Sequence, residues 1–191
     1  MAIERLFLKP KEPSLFDRAV QDLQRSLAEK CLFLNHVFGR CERLVKDVEG
    51  RRYYSPNVYK GRNEYILLTP DNTDLGNYCF FVQEDPETIV ESFGVLNRMR
   101  APFSLVVWVD MRTLEDDDER NGYRVDEMVM DAIGAHGVMH SGGIEVSRVY
   151  HRAESVFDGF TLDEVDNQYL MSPFYGLRIS FEIWMDEDCV I

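Results

Sequence analysis

His136-Gly-Val-Met-His140 spaces two imidazoles four residues apart, with His151 further on. On a helix that spacing puts both rings on one face, where they could hold a single zinc ion. The glutamate of a His-Glu-x-x-His site is absent, and Gly134 and Gly137 predict that the helix ends here, which removes the geometry. His136 also completes an apolar helix face made of Val125, Met128, Val129 and Ala132. The residues therefore favour a structural role at a helix end, with His136 and His140 as the candidate metal ligands. Glu115 to Glu119 invites a calcium reading, but calcium loops need carboxylates at alternate positions and a central glycine. Consecutive acids diverge, so this run reads as a solvated loop.

Nucleophilic catalysis finds no support in the spacing. Ser141 adjoins His140, but no Gly-x-Ser-x-Gly surrounds it. Cys31 falls on the apolar face of a helix, where a thiol is inert. Neither a Gly-x-Gly-x-x-Gly nor a phosphate-binding Gly-Lys-Ser/Thr loop occurs. No catalytic residue and no cofactor is assigned. The four cysteines (31, 41, 79 and 189) form no zinc pattern or disulfide framework and read as reduced thiols.

The setting for these residues is an acidic chain of 191 residues with formal charge −13 and 45% hydrophobic composition. Length predicts one domain with a real core, and the apolar content excludes a disordered chain. Lysines and arginines are scattered, which argues against gripping nucleic acid or an acidic membrane. The longest apolar run, Leu105 to Val109, is far too short to span a bilayer, and the charged start lacks a secretory leader.

Residues 1–13 read as an extended arm. Ser14-x-x-Asp17 has capping-box spacing, and Phe16, Val20, Leu23, Leu27, Cys31, Leu34 and Phe38 then step by three or four, predicting a helix closed by Gly39. From residue 41 the period becomes two. Cys41 to Val48 and Arg51 to Tyr59 form a hairpin about Glu49-Gly50, followed by strands over Glu64 to Leu68 and Tyr78 to Gln83. Phe103 to Val109 reads as a central strand covered on both faces. A second helix follows Asn121, and Gly142-Gly143 break the chain before a strand from Ile144 to Tyr150. Ala153 to Phe157 forms a helical turn, and in the last strand Leu177, Ile179, Phe181, Ile183 and Met185 alternate with Arg178, Ser180, Glu182 and Trp184. The order predicts an α+β fold, a mixed, largely antiparallel sheet packed against two main helices.

Aromatics crowd these strands. Tyr, Trp and Arg are the side chains that anchor protein interfaces, and the outward face of the last strand carries two of the three types. Arg178, Trp184, Glu182 and Tyr175 are the candidate interface residues.

Several phrases resemble small structural proteins encoded in prophages of Bacteroides-type bacteria. They include Gly50-Arg51-Arg52-Tyr53-Tyr54-Ser55-Pro56-Asn57, Asn77-Tyr78-Cys79-Phe80-Phe81, Pro102-Phe103-Ser104-Leu105 and Pro173-Phe174-Tyr175-Gly176-Leu177-Arg178. The element order is similar to that of tail-terminator and tail-completion proteins of long-tailed phages. That resemblance implies helices against a mixed sheet and a closed ring, typically a hexamer. The ring would sit between tail tube and head connector, assembled in the bacterial cytoplasm and carried in the virion tail. The family has no invariant catalytic residues to carry over. The alternatives are a metal-dependent hydrolase using His136 and His140, or a monomeric binding module of a mobile element.

Overall fold

A computed structural model describes residues 4–13, 15–93, 96–114, 122–134, 138–139 and 142–186. In chain order its elements begin with β1 (Leu6–Phe7), α1 (Leu15–Lys30), β2 (His36–Arg40), β3 (Glu42–Val48), β4 (Arg51–Gly61) and β5 (Glu64–Leu67). They continue with β6 (Tyr78–Gln83), β7 (Thr88–Phe93), β8 (Leu96–Asp110), α2 (Gly122–Gly134) and β9 (Val138–Met139). The last are β10 (Gly142–Tyr150), α3 (Ala153–Val156) and β11 (Phe174–Asp186).

The fold is α+β. Among the described residues, eight strands make one sheet in the order β1-β2-β6-β8-β11-β10-β9, with β7 also paired to β8. β1 and β2, and β2 and β6, run parallel; the remaining pairs are antiparallel. β8 is the spine. Its apolar run from Phe103 to Val109 is buried throughout, and β11 pairs along it from Asp110 back to Arg98. On its other edge β6 takes residues 103–108 and β7 takes residues 96–100, so both follow one line. β7 and the first half of β8 carry no plain alternation, which is why sequence periodicity passes over them.

α1 stops at Lys30 and not at Phe38 as the spacing predicts. Cys31 still donates to Leu27 O, at 2.8 Å, but His36–Arg40 are drawn into the sheet between β1 and β6. Sheet pairing there satisfies backbone groups that a longer helix would have satisfied internally, so tertiary context overrides the pattern. Gly39 therefore caps nothing: it lies in a strand, where an added Cβ would sit 3.3 Å from Gln24 Oε1. That closeness lets the buried Gln24 amide donate to Phe7 O at 2.8 Å and Val37 O at 3.2 Å, fastening α1 to β1 and β2. The arm is likewise not merely extended, since β1 is a sheet strand. Gly142 and Gly143 lie inside β10, opposite Met185 and Trp184, and do not precede it. Ser14, Asn121, the acidic run 115–119 and Cys189 lie outside the described residues.

β3, β4 and β5 form a second sheet, turned at Glu49 (φ 53°) and Gly50 (φ 79°). Two positive φ values in a two-residue loop give the twist that an antiparallel hairpin needs.

Two cores lie on the two faces of the large sheet. One packs α1 and α2, through Leu23, Leu27, Val125 and Val129, onto Phe103, Leu105, Val107, Ile179, Phe181 and Ile183. The other gathers Phe38, Phe80, Val106, Trp108, Val156 and Phe157 with Val58 and Ile66 of the small sheet. No helix among the described residues is long and apolar enough to cross a membrane.

Candidate functional site

The helix-side core follows β8 and β11 over nearly their whole length, from Ala101 to Val109 and from Leu177 to Met185. The opposite core stops at Val106 and Trp108 of β8 and includes no fully buried residue of β11. Beyond that limit, past the buried Ser104, lies an open half-face bearing Arg100, Ser180, Glu182 and Trp184, continued by Glu145 and Arg148 of β10.

Period two sets which residues share this face; packing from distant segments sets which are covered. Arg178 shows the difference. It shares the face with Glu182 and Trp184, yet it is 4% exposed, so it is no exposed interface anchor. Its guanidinium donates to Val156 O at 3.1 Å and Asp158 O at 2.9 Å, and it pairs with the Glu84 carboxylate. The α3 segment closes over it, supplying the acceptors that make a buried cation tolerable.

Glu182 and Trp184 remain on the open half, both partly buried. Arg100 reaches Glu182 at 3.3 Å, and Ser104 and Ser180 share a hydrogen bond of 2.9 Å. Glu145 of β10 stands directly opposite Glu182, and like charges in register repel. Arg100 relieves that repulsion only in part, because Glu145 is exposed and makes no ion pair among the described residues. Beside them a cleft of about 340 Å³ opens between Glu84, Tyr150, Glu154, Ser155 and Asp158, with Arg178 and Ser180 in its lining. Sequence reasoning missed Arg100, Glu145 and this cleft, because strand pairing brings them together across long separations.

Tyr175 is elsewhere. It packs against the helix-side core, where its hydroxyl lies 2.7 Å from Asp126 Oδ1 and 2.8 Å from His151 Nδ1. The phenol donates to Asp126, which leaves the phenol oxygen as an acceptor for a proton carried on His151 Nδ1. Burial and the Asp126 carboxylate push the Tyr175 hydroxyl well above its ordinary pKa. The group ties α2 to the start of β11, and it separates Tyr175 from Glu182 and Trp184.

His136 and His140 lie outside the described residues, and His151 is engaged as above. Among the described residues no three His, Cys, Asp or Glu side chains gather closely enough to hold a metal ion. Cys31, Cys41 and Cys79 are free thiols, and burial pushes Cys31 and Cys41 up to about 12. A scan of the chain against protein-family models gave no match, and a search of curated proteins gave none either.

Proposed function

We infer that this protein is a structural, self-associating component of a phage or prophage tail, most simply a tail terminator or neck protein forming a ring at the end of the tail tube. The observation that carries the reading is the half-covered sheet: Trp184, Glu182, Arg100 and Glu145 form a mixed aromatic and charged patch on rigid strands. Interfaces favour a large aromatic within a polar rim on a preformed surface. The acid pair Glu145–Glu182, only partly compensated by Arg100, gains from a neighbour that brings positive charge. The resemblance of strand phrases to prophage structural proteins, and of element order to tail-terminator proteins, supports the setting, and the acid excess suits a conduit that repels passing DNA.

Sedimentation velocity with light scattering across a concentration series tests this. The expected result is a closed oligomer that Trp184→Ala converts to smaller species, with the circular dichroism of the folded chain unchanged. A wild-type protein that stays monomeric at every concentration overturns the reading and favours a monomeric binding module.

A further inference from the structure

The small sheet breaks the charge pattern of the chain. Residues 40–64 carry seven Lys and Arg against four acids, in a protein whose net charge is −13. Its inner face packs on the large sheet through Val58 and Ile66. Its outer face collects Lys46, Arg51, Tyr53, Tyr59, Tyr65 and Leu67, with Glu42 its one acid in β3, because the register sets Glu42 against Asn57, Lys46 against Tyr53 and Tyr59 against Tyr65. Tyr59, Tyr65 and Leu67 are 40%, 43% and 42% exposed, and the two tyrosine rings lie 5.3 Å apart. Lys46 and Arg51 are exposed and make no ion pair among the described residues. β3 buries none of its seven residues, so at ~3.3 Å per residue the hairpin presents an arm about 23 Å long.

The acids that could receive it lie where the open half of the large sheet meets α3. Glu145 on the open half and Glu154 and Asp158 on the α3 segment are exposed and without an ion-pair partner among the described residues, with Arg148 the exposed cation beside them, and Glu154 and Asp158 line the cleft that holds Arg178. That cleft of about 340 Å³ is roomy enough for one extended Lys or Arg side chain.

We propose that the basic, tyrosine-bearing outer face of the β3–β5 sheet docks onto the acidic border of Glu145, Glu154 and Asp158, between the open half of the large sheet and α3, on a second copy of this chain. Within its own protomer this face meets Lys9, whose ammonium lies over the Tyr59 ring, and no acidic residue pairs with Lys46 or Arg51 among the described residues, so a matching acidic surface is met on another molecule. Two different patches meet, which makes the contact head-to-tail and lets it repeat until the ring closes. The inference rests on the self-association reading above and supplies the partner of that same surface.

Charge reversal tests it. Lys46→Glu/Arg51→Glu and Glu145→Lys/Glu154→Lys change exposed residues only, and circular dichroism checks that each variant folds. Each double variant is expected to weaken self-association by about a hundredfold or more, since like charges facing each other cost several kcal/mol. The quadruple variant, with every seam reversed in sign, is expected to regain the wild-type assembly size. A wild-type oligomer whose size survives Lys46→Glu/Arg51→Glu overturns this seam while leaving self-association standing. A folded quadruple variant that stays dissociated overturns it equally, and a wild-type monomer overturns both readings.

Discussion

Replacing Arg178 by methionine removes the charge while keeping most of the stem, so the loss measured is electrostatic and not that of a cavity. Three acceptors lose their donor: the carbonyls of Val156 and Asp158 and the Glu84 carboxylate. Breaking a buried pair by removing one member costs about 3–5 kcal/mol. The Glu84 side chain is 29% exposed and regains some hydration, which places the expectation at the lower end, about 3 kcal/mol. For a chain of this size each kcal/mol moves the melting temperature by about 2–4 °C, so Arg178→Met should melt about 6–12 °C lower. Urea titrations of wild type, Arg178→Met, Glu84→Gln and the double variant close a cycle. Its coupling is expected at 1–3 kcal/mol, the double variant losing less than the sum of the two. If Arg178→Met unfolds within ~0.5 kcal/mol of wild type and couples to nothing, the account of Arg178 as a buried clamp fails. That outcome would restore the sequence-based expectation that Arg178 acts at an interface.

Two further outcomes bear on local chemistry. Burial raises the thiols of Cys31, Cys41 and Cys79, so at pH 8 almost no thiolate is present in the native state. Peptide mass mapping after iodoacetamide should find Cys31 and Cys79 unmodified and the partly buried Cys41 slow to react in the native protein, with all three alkylated in urea; rapid native labelling of Cys41 would contradict its raised pKa. The hydrogen bond from Arg112 holds the Asp110 carboxyl below the usual carboxylate range. A depressed native pKa contributes stability above the unfolded value of ~3.9 and loses it as pH falls through the native one. Asp110→Asn should therefore be less stable than wild type at pH 7 and converge with it in acid. Parallel acid-unfolding limbs for the two proteins would refute that linkage.

Much of the secondary structure was legible from local spacing. The amphipathic faces of α1 and α2, the Glu49-Gly50 turn, the span of β6 and the buried alternation of β11 follow from periods of 3.6 and 2 and from turn chemistry. α1 was read too long because Leu34 and Phe38 continue its phase although the helix has ended before Leu34 and Phe38 lies in a strand. β7 was missed because its edge-strand residues, with Ile89 and Val90 exposed, lack a clean inside and outside. Of the candidate interface, Glu182 and Trp184 were legible as an outward pair, whereas Arg178 was placed on the right face with the wrong exposure.

The sequence by itself determined the class of fold, the pairing of apolar with polar faces and an acid excess. These are properties of neighbouring residues, and near neighbours on one chain are fixed in relative direction by backbone geometry. Only the tertiary structure decided that α3 seals the Arg178 half of β11 and leaves the Glu182–Trp184 half open. It alone set Glu145 opposite Glu182 and turned the basic sheet outward. Coverage of a sheet face is made by segments tens of residues away, packed there by burial of apolar surface, and no local period encodes where that packing ends.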